Sequence, residues 1–153
     1  MKINGYSIEP GAQLTEANLC GADLSRAELR EAKLTKAKLR GVNLNGAMLQ
    51  KADLSEADLC GAMVGGVNLS EANLSMASLR GIDLTGTILT NTNLQLADLS
   101  GAILIGANLG GADLTNANLQ GVSLIEANLS NAILTETNFN GATMEDGTLY
   151  ENN

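Results

Sequence analysis

The stretch that decides the fold is Ala-Asn-Leu-Cys-Gly-Ala-Asp-Leu-Ser-Arg, residues 17–26. It holds two copies of a five-residue word, Ala-(Asp/Asn)-Leu-X-X, and 28 such words follow one another in one phase across residues 12–151. Leu occupies 25 of the 28 central positions, and Ala occupies 20 of the 28 positions two residues earlier. Val64, Phe139 and Met144 replace the central Leu. The regularity of this word therefore governs any prediction of shape.

A period of five excludes both regular secondary structures. An α-helix turns about 100° per residue, so a Leu every five residues makes no stripe along it. A straight strand alternates its faces with period two, so an odd step of five moves each Leu to the opposite side. The chain must instead turn once in every word. Within a word, Ala and Leu are two residues apart and point inward together, so the sequence predicts a solenoid with both of them inside.

The glycines at the end of the words indicate how many words make one coil. One column recurs at a spacing of 20, at residues 21, 41, 61, 81, 101, 121 and 141, and a second column holds residues 46, 66, 86 and 106. A coil of four words aligns these glycines, so 28 words predict seven coils. We expect type II turns at the Gly columns, since their third residue needs a positive φ. The corner at residues 16, 36, 56, 76, 96, 116 and 136 never holds Gly, and we expect another turn type there.

Words such as Ala-Asn-Leu-Cys-Gly (17–21), Ala-Asp-Leu-Ser-Arg (22–26) and Ala-Asn-Leu-Gly-Gly (107–111) resemble those of the pentapeptide-repeat family. The resemblance covers about nine tenths of the chain. It implies an all-β fold, the right-handed quadrilateral parallel β-helix of that family. The family is especially abundant in cyanobacteria, which implies a bacterial and specifically cyanobacterial source. The resemblance carries no single function, because members of the family do unrelated things.

The sequence predicts one domain with three segments: an N-terminal cap at residues 1–11, the solenoid at residues 12–151 and a C-terminal tail at residues 152–153. No apolar run approaches the length of a membrane span. The first residues lack the apolar stretch of a signal peptide, so we expect a cytoplasmic location. We expect no membrane association.

The two ends of a solenoid expose open sheet edges, which invite pairing. At the N-terminal end we expect Tyr6, Ile8 and Pro10 to fold over the first coil. At the C-terminal end the words are bulkier, and we expect the last coil to be closed by Phe139, Met144, Leu149 and Tyr150. No helical pattern follows the repeats. An exposed end favours an end-to-end homodimer.

The basic side chains fall in the first half of the chain and predict charge ladders. Residues 1–80 hold nine bases and nine acids, and most of the bases lie between Arg26 and Lys51. Such a cluster could bind phosphate, but residues 20 apart are neighbours on adjacent coils, which favours cross-strand pairs. The predicted pairs are Lys36 with Glu16 and Glu56, Lys51 with Glu31 and Glu71, Lys33 with Asp53, and Lys38 with Asp58. Arg40 and Arg80 have no partner of this kind.

The net charge of −8 comes from the second half of the chain. Residues 81–153 hold no Lys or Arg and eight acids: Asp83, Asp98, Asp113, Glu126, Glu136, Glu145, Asp146 and Glu151. Some members of the family that this sequence resembles are acidic rods that mimic DNA and protect DNA gyrase. The alternative function is therefore a DNA mimic that acts on gyrase or another DNA-binding protein. These acids spread over several faces, however, and a solubilising surface that steers basic partners fits them better.

The third face consists of residues 22–26, 42–46 and the equivalent five residues at each further step of 20. It breaks the rule that outward positions are polar. Ile103, Ile105 and Ile125 point outward on neighbouring coils, and Met63 lies on the same face. β-branched residues also suit strands in general. We nevertheless predict these four residues as a protein-contact surface.

The residue types exclude most chemistry. The chain has no His, which removes imidazole bases and most zinc sites. Cys20 and Cys60 lie two coils apart, about 10 Å by strand spacing, so we expect free thiols and no metal site. We interpret the glycines of residues 61–66 as corner residues rather than a phosphate loop, since no Gly-Lys-Ser/Thr follows them. Few aromatic residues are present, which disfavours direct nucleic-acid binding. The sequence thus predicts a non-enzymatic protein-interaction or scaffold module with no catalytic residues and no cofactor, whose partner is unknown.

Overall fold

Each word ends in a hydrogen-bonded turn. The computed structural model describes residues 1–151; the predicted tail at 152–153 lies outside the described residues. The Ala17 N–H donates to the Leu14 C=O at 3.0 Å, and the same contact recurs in later words. Every corner residue from 16 to 141 has a positive φ.

The prediction of a different turn at the Gly-free corner is wrong. There φ lies between 55° for Glu136 and 59° for Leu96, close to the 62° to 70° of the glycine corners after residue 20. The Gly-free corner also keeps the hydrogen bond from the N–H of the next word to the central C=O. None of its residues is β-branched, and unbranched side chains enter the left-handed region at a modest cost. Glycine is therefore favourable at a corner without being required.

Where Asp or Asn precedes the central residue, its side chain holds the word in shape. The Asp23 Oδ1 accepts the Ser25 N–H at 3.0 Å, and the Asn118 Oδ1 accepts the Gln120 N–H at 3.2 Å. Short polar side chains commonly bond their own backbone two residues on in this way. The same side chains also bond between coils, since the Asn43 Nδ2 donates to the Asp23 Oδ1 at 3.1 Å.

Successive coils pair in parallel at a register of 20 residues. Single-residue bridges run from Gln13 with Lys33 to Ser123 with Thr143. The Leu14 N–H donates to the Lys33 C=O at 2.7 Å, and the Lys33 N–H donates to the Ala12 C=O at 2.8 Å. One coil therefore takes 20 residues, which confirms the predicted four words per coil. Residues 1–151 contain no helix.

The core is a column of Leu and Ala along the axis. Central residues from Leu14 to Leu124 are at most 3% exposed. Burying a Leu contributes about 1.5–3 kcal/mol, but ordering each residue costs about 1–2 kcal/mol, so a coil depends on its neighbours. Thr87 and Thr92 take Ala positions and are also buried.

The N-terminal end of the solenoid is covered by a hairpin. Strands β1 (Lys2–Ile3) and β2 (Tyr6–Ser7) pair antiparallel around a turn at Asn4 and Gly5, which both have positive φ. Ile8 is buried in the core, and Ile3 and Tyr6 pack against it. The expected folding of the first residues over the core is confirmed for Tyr6 and Ile8, whereas Pro10 is exposed.

The C-terminal end is less covered. Residues 144–150 fold back, with the Tyr150 N–H on the Ala142 C=O and an antiparallel bridge between Thr143 and Leu149. The Phe139 and Tyr150 rings lie 5.3 Å apart. The last word, 147–151, thus does not continue the parallel stacking. Apolar side chains remain exposed there, with 38% of Leu134 and 68% of Leu149 accessible.

Candidate protein-contact surface

The structure brings the three predicted isoleucines of the third face together. Ile105 and Ile125 are half-buried neighbours, and the Gly106 N–H donates to the Ile125 C=O at 2.9 Å. Ile103 is 39% exposed and bridges Asp83 on one side and Ser123 on the other. Met63 is 50% exposed but is separated from Ile103 by Asp83, which bridges both. Met63 therefore lies beside the isoleucine cluster and not within it.

Between Met63 and the isoleucines the inter-coil hydrogen bonds are weakened. The N–H groups of Gly61, Val64, Gly66 and Asp83 do not reach hydrogen-bond geometry with the neighbouring coil, although Met63 and Asp83 remain paired as a parallel bridge. The equivalent N–H groups do reach it at every other boundary between stacked coils from residue 11 to residue 145. Two coils later on the same face, the corresponding bonds are intact, with the Leu104 N–H 2.7 Å from the Ser123 C=O. We call the boundary between residues 61–66 and 80–85 the inter-coil gap.

Substitutions in one word account for the inter-coil gap. Met63 has no side-chain oxygen for the Gly65 N–H, which bonds the Asn45 Oδ1 of the preceding coil instead, at 2.7 Å. The bonds of this word to the preceding coil are kept, including Leu44 N–H to Met63 C=O at 2.8 Å. Val64 is also smaller than the usual Leu. The word is thus held on one side and loosely bound on the other.

The inter-coil gap opens a groove on the third face. Its volume is about 350 Å³, and it is lined by residues 62–65 together with Asn45, Asp83 and Thr85. Gly65 contributes to the groove because it has no side chain, and its φ is not in the left-handed region. The interpretation of all the glycines in 61–66 as corner residues is therefore wrong for Gly65, which precedes the corner.

A buried hydroxyl in the core also lacks a hydrogen bond at the inter-coil gap. The Thr92 Oγ1 donates to the Leu69 C=O at 3.0 Å, and the Thr137 Oγ1 donates to the Leu114 C=O at 2.8 Å, each 23 residues earlier. The equivalent acceptor for Thr87 is the C=O of Val64, at the inter-coil gap. The Thr87 Oγ1 is buried and has no hydrogen-bond partner.

The groove carries one ionised side chain. The Thr85 hydroxyl donates to the Asp83 Oδ1 at 2.6 Å and the Thr85 N–H donates to it at 3.0 Å. These two bonds hold the pKa of the Asp83 carboxyl below its usual value. Its other oxygen, Oδ2, makes no described contact. Across the third face only Arg26 is basic, whereas five residues are acidic: Asp23, Asp83, Glu126, Glu145 and Asp146.

The predicted charge ladders form in part. Lys36 pairs with Glu56 and Lys51 with Glu71, each at 3.7 Å, whereas Glu16 and Glu31 form no ion pair. Burial raises the pKa of the Asp53 carboxyl, but hydrogen bonds from Ser55 and Thr35 and the nearby charge of Lys33 outweigh it, so the pKa lies below its usual value. Pairs between exposed side chains such as these contribute little to stability.

Arg40 and Arg80 have no ladder partner 20 residues away, as predicted, but each forms an ion pair at another spacing. The Arg40 Nη1 lies 3.2 Å from the Asp58 Oδ2, and the Arg80 Nε lies 3.7 Å from the Asp98 Oδ2. These partners are 18 residues away, because a long Arg side chain reaches diagonally across the face to the next coil. A search limited to spacings of 20 could not find them. Asp58 consequently pairs with Arg40 and forms no ion pair with Lys38.

Three aspartates of the second half, at residues 83, 98 and 113, do not stack on other acids. Asp83 bridges Met63 and Ile103, Asp98 bridges Ser78 and Asn118, and Asp113 bridges Asn93 and Ile133. Each of these acids thus has uncharged neighbours along its own column. A continuous row of carboxylates, as a DNA mimic needs, is not formed by them.

The remaining chemistry of the described residues is sparse. Cys20 and Cys60 are free thiols, as expected. Within residues 1–151, no group of three or more His, Cys, Asp or Glu side chains is placed to hold a metal ion. The same residues include no helix with the length and apolar character that crossing a bilayer demands. The sequence pointed to the isoleucines but not to the groove, for which the replacement of Leu by Val64 beside two glycines was the available signal.

Comparison with known proteins bears on the repeat and the fold. The sequence model for pentapeptide repeats matches in eight copies over residues 11–46, 37–75, 77–116 and 112–149. The chain is 37% identical to HetL, a pentapeptide-repeat protein involved in heterocyst differentiation regulation in the cyanobacterium Nostoc sp. strain PCC 7120. That match covers 92% of this chain and 75% of HetL, with a TM-score of 0.61. No curated protein matches the chain.

Two further structures are similar. A trypsin-treated variant of QnrB1, a plasmid-mediated fluoroquinolone resistance protein, is 19% identical over 84% of this chain and 77% of its own, with a TM-score of 0.59; the likeness concerns the fold alone. A pentapeptide-repeat protein of the Arabidopsis thaliana thylakoid lumen is 27% identical over 74% and 69%, with a TM-score of 0.49. The chain therefore belongs to the pentapeptide-repeat family, and its fold is the right-handed β-helix solenoid of that family.

Proposed function

We propose that this chain is a non-enzymatic protein-interaction module whose third face binds a protein partner through Ile103, Ile105 and Ile125. The observation that carries the proposal is the adjacency of these three side chains at outward positions. Their column neighbours Asp83, Ser123 and Thr85 are polar, as outward positions in this solenoid usually are. Contiguous apolar surface of this kind is typical of protein-contact sites.

Other outward isoleucines of the chain do not form such a cluster. Ile88 is 41% exposed on the fourth face and bridges Asn68 and Asn108. Ile133 is 49% exposed at the C-terminal end and bridges Asp113. A general preference of β-branched residues for strands accounts for these isolated cases. It does not account for three isoleucines together on one face.

The test is affinity capture from the source organism with matched variants. Ile103→Asn places the usual polar residue at that position, as in the neighbouring words, and should leave the fold intact. Ile125→Glu adds a charge within the cluster. Ile88→Asn is the matched control on another face. We expect a specific partner to be retained by the unmodified protein and by Ile88→Asn, and to be lost with the two third-face variants. Equal retention by all four proteins would refute the third face as the contact surface.

We further propose that the words form seven coils, of which the last lacks its fourth word because residues 147–151 fold back, and that two such rods join end to end at the C-terminal end. Leu134, Leu149 and Tyr150 are 38%, 68% and 36% exposed there, and uncovered strand edges pair readily. Light scattering coupled to size exclusion checks this proposal. We expect a dimer that Leu134→Lys converts to a monomer. A monomer of the unmodified protein at tens of micromolar would contradict it.

The alternative function, a DNA mimic acting on gyrase or another DNA-binding protein, is supported by the uneven charge alone. Residues 81–153 carry eight acids and no base. Asp83, Asp98 and Asp113, however, each lie between uncharged residues in their own column. A gyrase supercoiling assay separates the two functions. Inhibition, or protection from a quinolone, at micromolar protein would favour the mimic over the contact module.

A cytoplasmic location is proposed because both cysteines are unpaired, which is typical of reducing compartments. Fractionation of the source cells tests it. Recovery of the protein in a lumenal or periplasmic fraction would contradict it.

A further inference from the structure

The third face contains a groove as well as an apolar cluster, and the two are neighbours. The groove lies at the inter-coil gap between residues 61–66 and 80–85, and Ile103 lies one coil above Asp83. Its volume of about 350 Å³ is at the lower end of the range for ligand pockets, roughly 300–1,000 Å³. A single side chain of a partner is a suitable occupant for a site of this size.

The backbone of the inter-coil gap offers weakly bonded acceptors. In the regular ladder, the C=O groups of Ala62, Asp83 and Thr85 would accept the N–H groups of Asp83, Val64 and Gly66, and here these three contacts fall outside good hydrogen-bond geometry, although Met63 and Asp83 stay paired as a bridge. Ala62, Asp83 and Thr85 all line the groove. Poorly bonded carbonyls beside a groove are favourable partners for a ligand that carries several N–H donors.

Asp83 adds a negative charge to these acceptors. Its Oδ1 is occupied by the Thr85 N–H and hydroxyl, which leaves Oδ2 open to a ligand. The Met63 side chain supplies exposed apolar surface at the same groove. A carboxylate, several carbonyls and an apolar wall together match an arginine, which has five N–H donors on an aliphatic stem.

We propose that the groove at the inter-coil gap binds an arginine side chain from a basic segment of the protein partner. An aliphatic residue of the same segment packs on the isoleucine cluster. The proposal rests on the proposed function, since it describes the partner of the same face. Charge favours it, because residues 81–153 hold no Lys or Arg and the third face holds five acids and one base.

The spacing of the two contacts is consistent with an extended peptide. Coils stack about 4.8 Å apart, so the middle of the groove, half a coil below Asp83, lies about 7 Å from the row of Ile103. Residues two apart in an extended chain point to the same side and are separated by about 6.8 Å. The expected motif is therefore an arginine and an aliphatic residue separated by one residue.

The test is an NMR titration of the full chain with acetyl-Ser-Arg-Ser-Leu-Ser-amide. We expect shifts confined to the amides of Gly65, Gly66, Thr85 and Ile103. The matched control peptide has citrulline in place of arginine, which keeps the shape and removes the charge, and should bind roughly five- to tenfold more weakly. Shifts scattered over all faces, or equal affinity for the two peptides, would overturn the proposal.

Two protein variants address the groove itself. Asp83→Asn keeps an oxygen for the Thr85 N–H but removes the charge, and Gly65→Thr adds a side chain to the groove while leaving Asp83 in place. Both should lose the preference for arginine over citrulline, whereas Asp113→Asn, on another face, should retain it. Retention of the preference by both groove variants would overturn the proposal.

The two proposals fail separately. If Ile103→Asn abolishes partner capture while the arginine peptide does not bind, only the arginine site is refuted. If the peptide binds in the groove while Ile103→Asn and Ile125→Glu capture the partner normally, only the contact surface of the proposed function is refuted.

Discussion

Two boundaries on the third face differ although they belong to the same repeat. Between residues 102–106 and 122–126, the N–H groups of Leu104, Gly106 and Ser123 all reach the neighbouring coil, at 2.7, 2.9 and 3.1 Å. Forty residues earlier, the equivalent N–H groups of Val64, Gly66 and Asp83 do not reach hydrogen-bond geometry with the neighbouring coil, although Met63 and Asp83 remain bridge partners. A regular solenoid therefore depends on more than its leucines. One word that lacks its Asn or Asp, its Leu and a side chain before the corner is enough to separate two coils.

The largest expected difference between the two boundaries concerns the core. Leu104 is fully buried in a closed boundary, and Leu104→Ala should lower the free energy of unfolding by about 3 kcal/mol. Val64→Ala removes fewer atoms, and its looser surroundings can collapse, so about half that loss is expected. Urea denaturation of both variants checks the order. A loss for Val64→Ala equal to or larger than that for Leu104→Ala would show that the gap is packed as tightly as the rest.

Closing the inter-coil gap should stabilise the protein. Met63→Asn supplies an oxygen for the Gly65 N–H and releases the Asn45 side chain, so residues 62–66 can approach residues 82–86. We expect a gain of about 1 kcal/mol from the recovered hydrogen bonds, measured as a rise in the thermal midpoint. Ile103→Asn is the matched control, since it adds the same side chain where the ladder is already complete. An equal rise in both variants would indicate a general benefit of Asn at this position and contradict the explanation.

The two buried threonines give the next comparison. Thr92→Val removes a hydrogen bond to the Leu69 C=O and should cost about 1 kcal/mol. Thr87→Val removes a buried hydroxyl that has no partner, so it should be neutral or slightly stabilising. The free energies of unfolding of the two variants decide the point. A comparable loss at Thr87 would mean that its hydroxyl is satisfied in solution and that Val64 is not displaced.

The smallest expected effect is that of acid. Hydrogen bonds from Thr85 lower the pKa of Asp83, and hydrogen bonds from Thr115 and Gln95 lower that of Asp113. A lowered pKa in the folded state contributes stability that is complete above the unfolded value of about 3.9 and is lost as the pH falls through the folded value. We expect the thermal midpoint of unfolding to decrease as the pH is lowered below about 4. Asp83→Asn and Asp113→Asn should each make this decrease smaller by a similar amount, because in both cases the bonds from threonine lie within one word. A flattening by Asp113→Asn alone would show that the gap disturbs the word internally.

Much of the fold could be predicted because the repeat period is a geometric constraint. The spacing of Gly21, Gly41 and their successors gave four words per coil, which the pairing of Gln13 with Lys33 confirms. The turn at the Gly-free corner was mispredicted because Lys36 and Met76 accept a φ of about 57–58° without glycine. The pair of Arg40 with Asp58 was missed since it depends on side-chain reach and not on column position.

The candidate site was predictable only in its apolar part. Outward isoleucines can be assigned once the inward positions are known, so Ile103, Ile105 and Ile125 followed from the register. The groove depends on the loss of bonds between two coils, which no single residue specifies. Val64 and Gly65 mark the place, but Val42 and Val67 at inward positions, and Gly110 before a corner, occur without such an interruption, so the outcome depends on how the substitutions combine.

Amide hydrogen exchange tests the inter-coil gap most directly, since it reports each N–H separately. The account predicts that the amides of Val64, Gly66 and Asp83 exchange far faster than those of Leu104, Gly106 and Ser123, their equivalents two coils later. Similar protection of the two sets would show that the ladder is continuous in solution, and would remove both the groove and the basis for its proposed ligand.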